Sequence, residues 1–266
     1  MYNAKNCRLT LPCGDMDYIR FGTGDKPLVM VPGVGDGLKT VKGTALPFAL
    51  LYRSLARDYT VYVFSRRVTL APGMTTRDMS EDLNAALEAL GLKAAAVVGV
   101  SQGGMIAQWL AIDHPDKVGK LVLVVTVPRP NPTLQQAVSL WLDMARRGDY
   151  AGIMLDTAER SYSEKRLRKA RRIYRLLGNF GKPKSFERFI LQATACVNHD
   201  ASAMLGRIAC PTLVIGGGRD GIATGAASRE LAAAIPGSRL YMYEALSHGL
   251  YEEAPDFLTR VADFCR

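Results

Sequence analysis

The feature that most constrains the fold is a repeated alternation of short apolar runs with helical patterns. Residues 18–21, 28–31, 60–64, 95–100, 118–127, 212–216 and 239–243 are short, mostly apolar and bounded by Gly, Pro or charge, as strands buried on both faces should be. Between them, residues 79–90, 104–113, 226–235 and 255–264 carry helical periodicity, which predicts a mostly parallel central sheet with helices on both faces, an α/β fold.

The alternation lapses between about residues 131 and 205 and resumes at Cys210-Pro211-Thr212. The expectation is one domain over residues 1–266, with residues 131–205 inserted as a helical lid. Pro128, Pro130 and Pro132 punctuate its start, since each lacks a backbone donor and biases its predecessor toward extended conformations. With 266 residues, 48% of them hydrophobic and 22% charged, the chain has ample material for a core.

The longest apolar stretches, residues 94–100 and 121–127, fall short of the roughly 18 residues a membrane helix needs. Residues 1–14 are polar and lack the apolar segment of a secretory signal, so a cytoplasmic protein is expected. Cys7, Cys13, Cys196, Cys210 and Cys265 are odd in number and show no metal-ligand spacing, which reads as reduced, mostly buried thiols.

The net charge of +9 is concentrated. Residues 146–188 hold thirteen Lys or Arg against five acids, a surplus of eight. Within them, residues 164–177 place Leu167, Ala170, Ile173, Tyr174 and Leu177 at helical spacing, with basic residues on the remaining arc. This reads as a solvated basic face, the alternatives being an anionic substrate, partner or membrane surface. Nucleic acid is not expected, because no binding motif accompanies the charge.

Gly99-Val100-Ser101-Gln102-Gly103 follows an apolar strand and opens a helical run, so a Gly-x-Ser-x-Gly sits at a strand-to-helix turn. Such a turn holds the serine in a strained conformation with its hydroxyl clear of the sheet, and side chains at 99 or 103 would crowd it. Ser101 is the candidate nucleophile.

A serine hydroxyl needs a base, and the chain has three histidines. His114, before Pro115, suits a helix stop at the surface, and His199 is assigned a surface or capping role. His248 follows the last predicted strand, where ligands and catalytic groups gather in open α/β sheets, and is the candidate base. Asp220 follows the strand at 212–216 and is the candidate acid, giving the chain order Ser, Asp, His. The backbone N–H of Gln102 and that of Val34, with Gly33 the alternative to Val34, are the candidate oxyanion donors. Pro32-Gly33-Val34-Gly35-Asp36-Gly37 matches neither a dinucleotide-binding nor a P-loop pattern.

With these residues the chain resembles the α/β-hydrolase superfamily, in particular single-domain serine hydrolases with a helical cap. Leu90-Gly91-Leu92, His114-Pro115-Asp116-Lys117-Val118 and the run from Ile208 to Ile215 extend the likeness over nearly the whole length. Pro32-Gly33 stands where many members have His-Gly, and a Pro usual after the acid is missing around Ala223-Thr224. Serine at position 101 excludes the members with an aspartate nucleophile.

The expectation is hydrolysis of a carboxylic ester, lactone or thioester through an acyl-enzyme, on a small-molecule acyl substrate, with neither metal nor organic cofactor needed. Acyl transfer, perhydrolysis or carbon–carbon bond hydrolysis on the same residues is the alternative within enzymes. A ligand-binding protein without turnover is the alternative outside them.

Overall fold

A computed structural model of the chain describes residues 2–168, 171, 178 and 180–266. Strands β1 (Lys5–Leu11), β2 (Gly14–Phe21), β3 (Lys26–Val31), β4 (Tyr59–Arg67), β5 (Ala95–Val100), β6 (Val118–Val124), β7 (Thr212–Gly217) and β8 (Arg239–Tyr243) form one sheet in the order β1-β2-β4-β3-β5-β6-β7-β8. The first two strands join antiparallel and every pair from β4 to β8 is parallel.

Period-two alternation sends neighbouring residues to opposite faces, and here both faces are covered. Val29, Val31, Val97, Leu121, Leu123 and Val214 pack with Leu83, Leu87, Ile106 and Leu110 of helices α2 (Thr76–Ala89) and α3 (Gln102–Asp113). Leu28, Met30, Val98, Val122, Leu213 and Ile215 face the other way, against α1 (Ala45–Leu51) and the C-terminal helix. Met30, Val98, Val122 and Leu213 lie in register across four strands, so the parallel strands finish at one common edge.

Between β6 and β7 run α4 (Pro132–Arg146), α5 (Tyr150–Ser161) and α6 (Glu187–Val197), with no strand among the described residues of this stretch. After β7 come α7 (Gly225–Ala234), then α8 (Leu250–Glu253) and α9 (Phe257–Cys265), which follow β8. The expected amphipathic helix at 164–177 is helical over 164–168, and its residues 169–170 and 172–177 lie outside the described residues.

Two differences from the sequence reading have local causes. β1 escaped detection because it is an edge strand with one partner and mostly exposed or half-buried residues, so it needs no apolar run. The run at 118–127 stops being a strand at Val124 because Val125 turns to φ 44°, outside the extended region.

Candidate active site

Every sequence-selected chemical group sits beyond the C-terminal edge of the parallel strands. Ser101 connects β5 to α3 with φ 55° and ψ −119°, a strained geometry for a residue with a side chain. Ser101 N–H donates to Val124 O at 2.9 Å, while its carbonyl accepts from Gly104 N at 2.8 Å and Thr126 Oγ1 at 2.7 Å. Close packing explains the flanking glycines. A Cβ on Gly103 would stand 1.9 Å from Val31 O, and one on Gly99 would stand 2.5 Å from Gly103 O.

Asp220 and His248 are brought together from the loops after β7 and β8. His248 Nδ1 lies 2.9 Å from Asp220 Oδ2 and 3.0 Å from Oδ1, and both residues are buried. The backbone N–H groups of Ile222 and Ala223 also donate to Asp220 Oδ1, at 2.8 and 2.9 Å. Burial works to raise the Asp220 pKa, but the His248 charge and these hydrogen bonds outweigh it and hold the carboxyl below its ordinary range. Where the usual proline is missing, Thr224 takes φ 74° and caps α7 by accepting from Ala227 N at 3.3 Å. The capping leaves Asp220 free of that duty.

Ser247 Oγ ties the two loops together, donating to Arg219 O at 3.0 Å and to Arg160 O of α5 at 2.6 Å. Among the described residues no hydrogen bond joins Ser101 Oγ to His248, whose Nδ1 is engaged by Asp220. Gln102 opens α3, and Val34 opens a short 3₁₀ turn at Val34–Gly37, so neither N–H has an intrahelical acceptor. The Val34 loop passes close to the serine: a Cβ on Gly33 would lie 3.3 Å from Ser101 Cβ.

Residues 26–255 match the family described as the alpha/beta hydrolase fold. The chain belongs to the α/β-hydrolases. It is 36% identical over 183 residues to pimeloyl-(acyl-carrier protein) methyl ester esterase of Chromobacterium violaceum, covering 65% of this chain and 67% of that one. It is 26% identical over 241 residues to 3-oxoadipate enol-lactonase 2 of Acinetobacter baylyi, covering 90% and 88% of the two chains. Among solved structures, a hydrolase from Pseudomonas aeruginosa PA01 superposes with a TM-score of 0.82 at 25% identity over 98% of both chains.

The other two histidines of this α/β-hydrolase serve elsewhere. His114 caps α3 and its Nε2 meets Glu81 at 2.9 Å, as a helix stop at the surface. His199 is not at the surface: it is 1% exposed, bonded through Nδ1 to Thr76 Oγ1 at 2.8 Å, with its ring edge-on to Trp109. Burial, partly opposed by the Asp200 charge, drives its pKa down to about 4.

Sequence reasoning also missed a buried polar cluster beside the Val34 loop. Arg66, 4% exposed at the end of β4, donates through Nη2 to Pro32 O, to Gly33 O at 3.4 Å and to Gln102 Oε1 at 2.9 Å. The Gln102 amide continues to Gln192 O of α6 at 2.6 Å. Asp36 Oδ2 accepts from Arg66 N at 3.1 Å and from Arg188 Nη2 of α6 at 2.6 Å. No local signal marked it, because Ser65-Arg66-Arg67 ends a mostly apolar run as a strand leaving for solvent would.

Part of the described basic stretch is engaged by acids. Arg160 meets Asp156 at 2.8 Å, Arg171 meets Glu159 at 3.1 Å, and Arg166 pairs with Glu252 while lying 4.5 Å from the Tyr162 ring centroid. No helix among the described residues is long and apolar enough to cross a membrane.

Proposed function

We propose that the protein hydrolyses a carboxylic ester or lactone through an acyl-enzyme on Ser101. Ser101 Oγ attacks the carbonyl carbon, His248 takes the hydroxyl proton, and Asp220 holds the imidazole and stabilises its charged form. The N–H groups of Gln102 and Val34 receive the developing oxyanion. His248 then protonates the leaving alcohol, and water, deprotonated by the same imidazole, releases the acid. None of these steps calls on a metal or organic cofactor.

The observation that carries the reading is the 2.9 Å contact of Asp220 with His248 Nδ1, which leaves Nε2 as the proton-accepting nitrogen. The positive φ of Ser101 on the same edge supports it. An esterase and an enol-lactonase among the relatives favour an acyl carbon–oxygen bond as the one broken. The helices between β6 and β7, residues 131–205, are assigned as the cap that shapes the substrate pocket.

Treatment with a fluorophosphonate, followed by peptide mass spectrometry, tests this. The expected result is one adduct on Ser101, absent in His248→Ala, together with turnover of some ester, lactone or thioester from a panel. A folded protein that takes no adduct overturns the reading in favour of a ligand-binding role.

A further inference from the structure

We propose that Arg66 is a positioning residue that sets both oxyanion donors through one guanidinium nitrogen. The inference rests on the serine-hydrolase reading above. Arg66 Nη2 reaches Pro32 O, Gly33 O and Gln102 Oε1, which belong to the two loops carrying the Val34 and Gln102 N–H groups.

Peptide planarity turns these contacts into an orientation. In a trans peptide the carbonyl and the following N–H point in opposite directions. Drawing Gly33 O toward Arg66 therefore aims Val34 N–H away from it, and drawing in Pro32 O does the same for Gly33 N–H. On the other loop, Gln102 is 0% exposed and its side chain is held at both ends, by Arg66 at 2.9 Å and by Gln192 O at 2.6 Å. A side chain so fixed leaves its own backbone N–H little freedom to rotate.

The charge has the matching sign. Asp36 is shared: its Oδ2 pairs with Arg188 at 2.6 Å and meets Arg66 through the backbone N–H. No hydrogen-bonded carboxylate faces the Arg66 guanidinium among the described residues, and its Nε and Nη1 have no acceptor there. Burial pulls its pKa down to about 10, so it remains cationic at neutral pH. Two guanidinium groups around one carboxylate leave a positive surplus in the low-dielectric ground beside the site of the developing anion.

The test measures fluorophosphonate labelling of Ser101, because phosphonylation builds an oxyanion without requiring a known substrate. Arg66→Met is expected to lower the maximal labelling rate about 10- to 100-fold, short of the loss of a whole donor, with the inhibitor constant within about threefold of wild type. Arg66→Lys restores part of the rate, since an ammonium carries the charge and three donors. The acid limb of the labelling rate stays in place in Arg66→Lys, which keeps the charge.

An Arg66→Met rate within about twofold of wild type, a loss that falls on the inhibitor constant instead, or an acid limb displaced in Arg66→Lys overturns the proposal. Should Arg66→Met fail to fold, Gln102→Met removes the Arg66 acceptor, and with it the donor to Gln192 O, at nearly constant size. A drop of about tenfold in maximal rate then supports the role, and none overturns it. Wild-type protein that takes no label removes the serine-hydrolase reading and this inference together, whereas labelled wild type with fast variants removes this inference alone.

Discussion

One nitrogen, His248 Nδ1, lies within 3.0 Å of both carboxylate oxygens of Asp220. The carboxylate is thus committed to the imidazole on one side and to the N–H groups of Ile222 and Ala223 on the other. Replacing it with an amide keeps the size but supplies an N–H where an acceptor is required, favouring the wrong imidazole tautomer. Asp220→Asn is expected to lower kcat about 10⁴-fold while the protein stays folded, measured on whichever ester the panel identifies.

Ser101→Ala should be harsher, lowering kcat by about six orders of magnitude. The double variant Ser101→Ala/His248→Ala should lose little more, because nucleophile and base act as a unit. Additive losses in steady-state assays would separate the two residues and contradict the mechanism.

The pH profile follows from which group titrates. Asp220 is held below the ordinary carboxylate range, so it stays charged throughout mild acid. On the proposed mechanism the fall in kcat/KM on the acid side is therefore expected to come from the general base and not from Asp220. Wild type is expected to show a single acid limb, measured with a neutral ester so that the substrate does not titrate, and Asp220→Asn should move it.

Much of this site was legible because its chemistry needs particular residues at particular turns. The glycines around Ser101 are there because Val31 O and Thr126 leave no space for a Cβ, and that requirement is written in the short motif. Asp220 and His248 were found by their place after late strands, although a separation of 28 positions hides the contact. Arg66 was not found, because nothing local distinguishes an arginine aimed into the molecule from one leaving the sheet for solvent. His199 was misplaced for the same reason. Its neighbours Asn198 and Asp200 look like a surface turn, and its burial depends on Thr76 and Trp109, far away in the chain.

The close approach at Gly103 predicts a stability effect separate from catalysis. Gly103→Ala would put a Cβ 1.9 Å from Val31 O, a backbone atom of a central strand that has no room to withdraw. Overpacking of this kind costs about 3 kcal/mol, and at 2–4 °C per kcal/mol for a chain approaching this size the melting temperature should fall by roughly 10 °C. A thermal melt of the purified variant checks it.

His199 supplies the last prediction, with its sign fixed by burial. Its folded pKa of about 4 lies below the ordinary 6.5, so between those values the unfolded chain binds the extra proton. The neutral imidazole's contribution is complete above pH 6.5 and is lost as pH falls toward 4, by at most about 3 kcal/mol for a shift of this size. His199→Gln keeps a group able to bond Thr76 and does not titrate. Urea unfolding of the two proteins from pH 7 to pH 4 should therefore show wild type losing more stability than the variant. Parallel curves would mean that His199 accepts its proton without the protein opening.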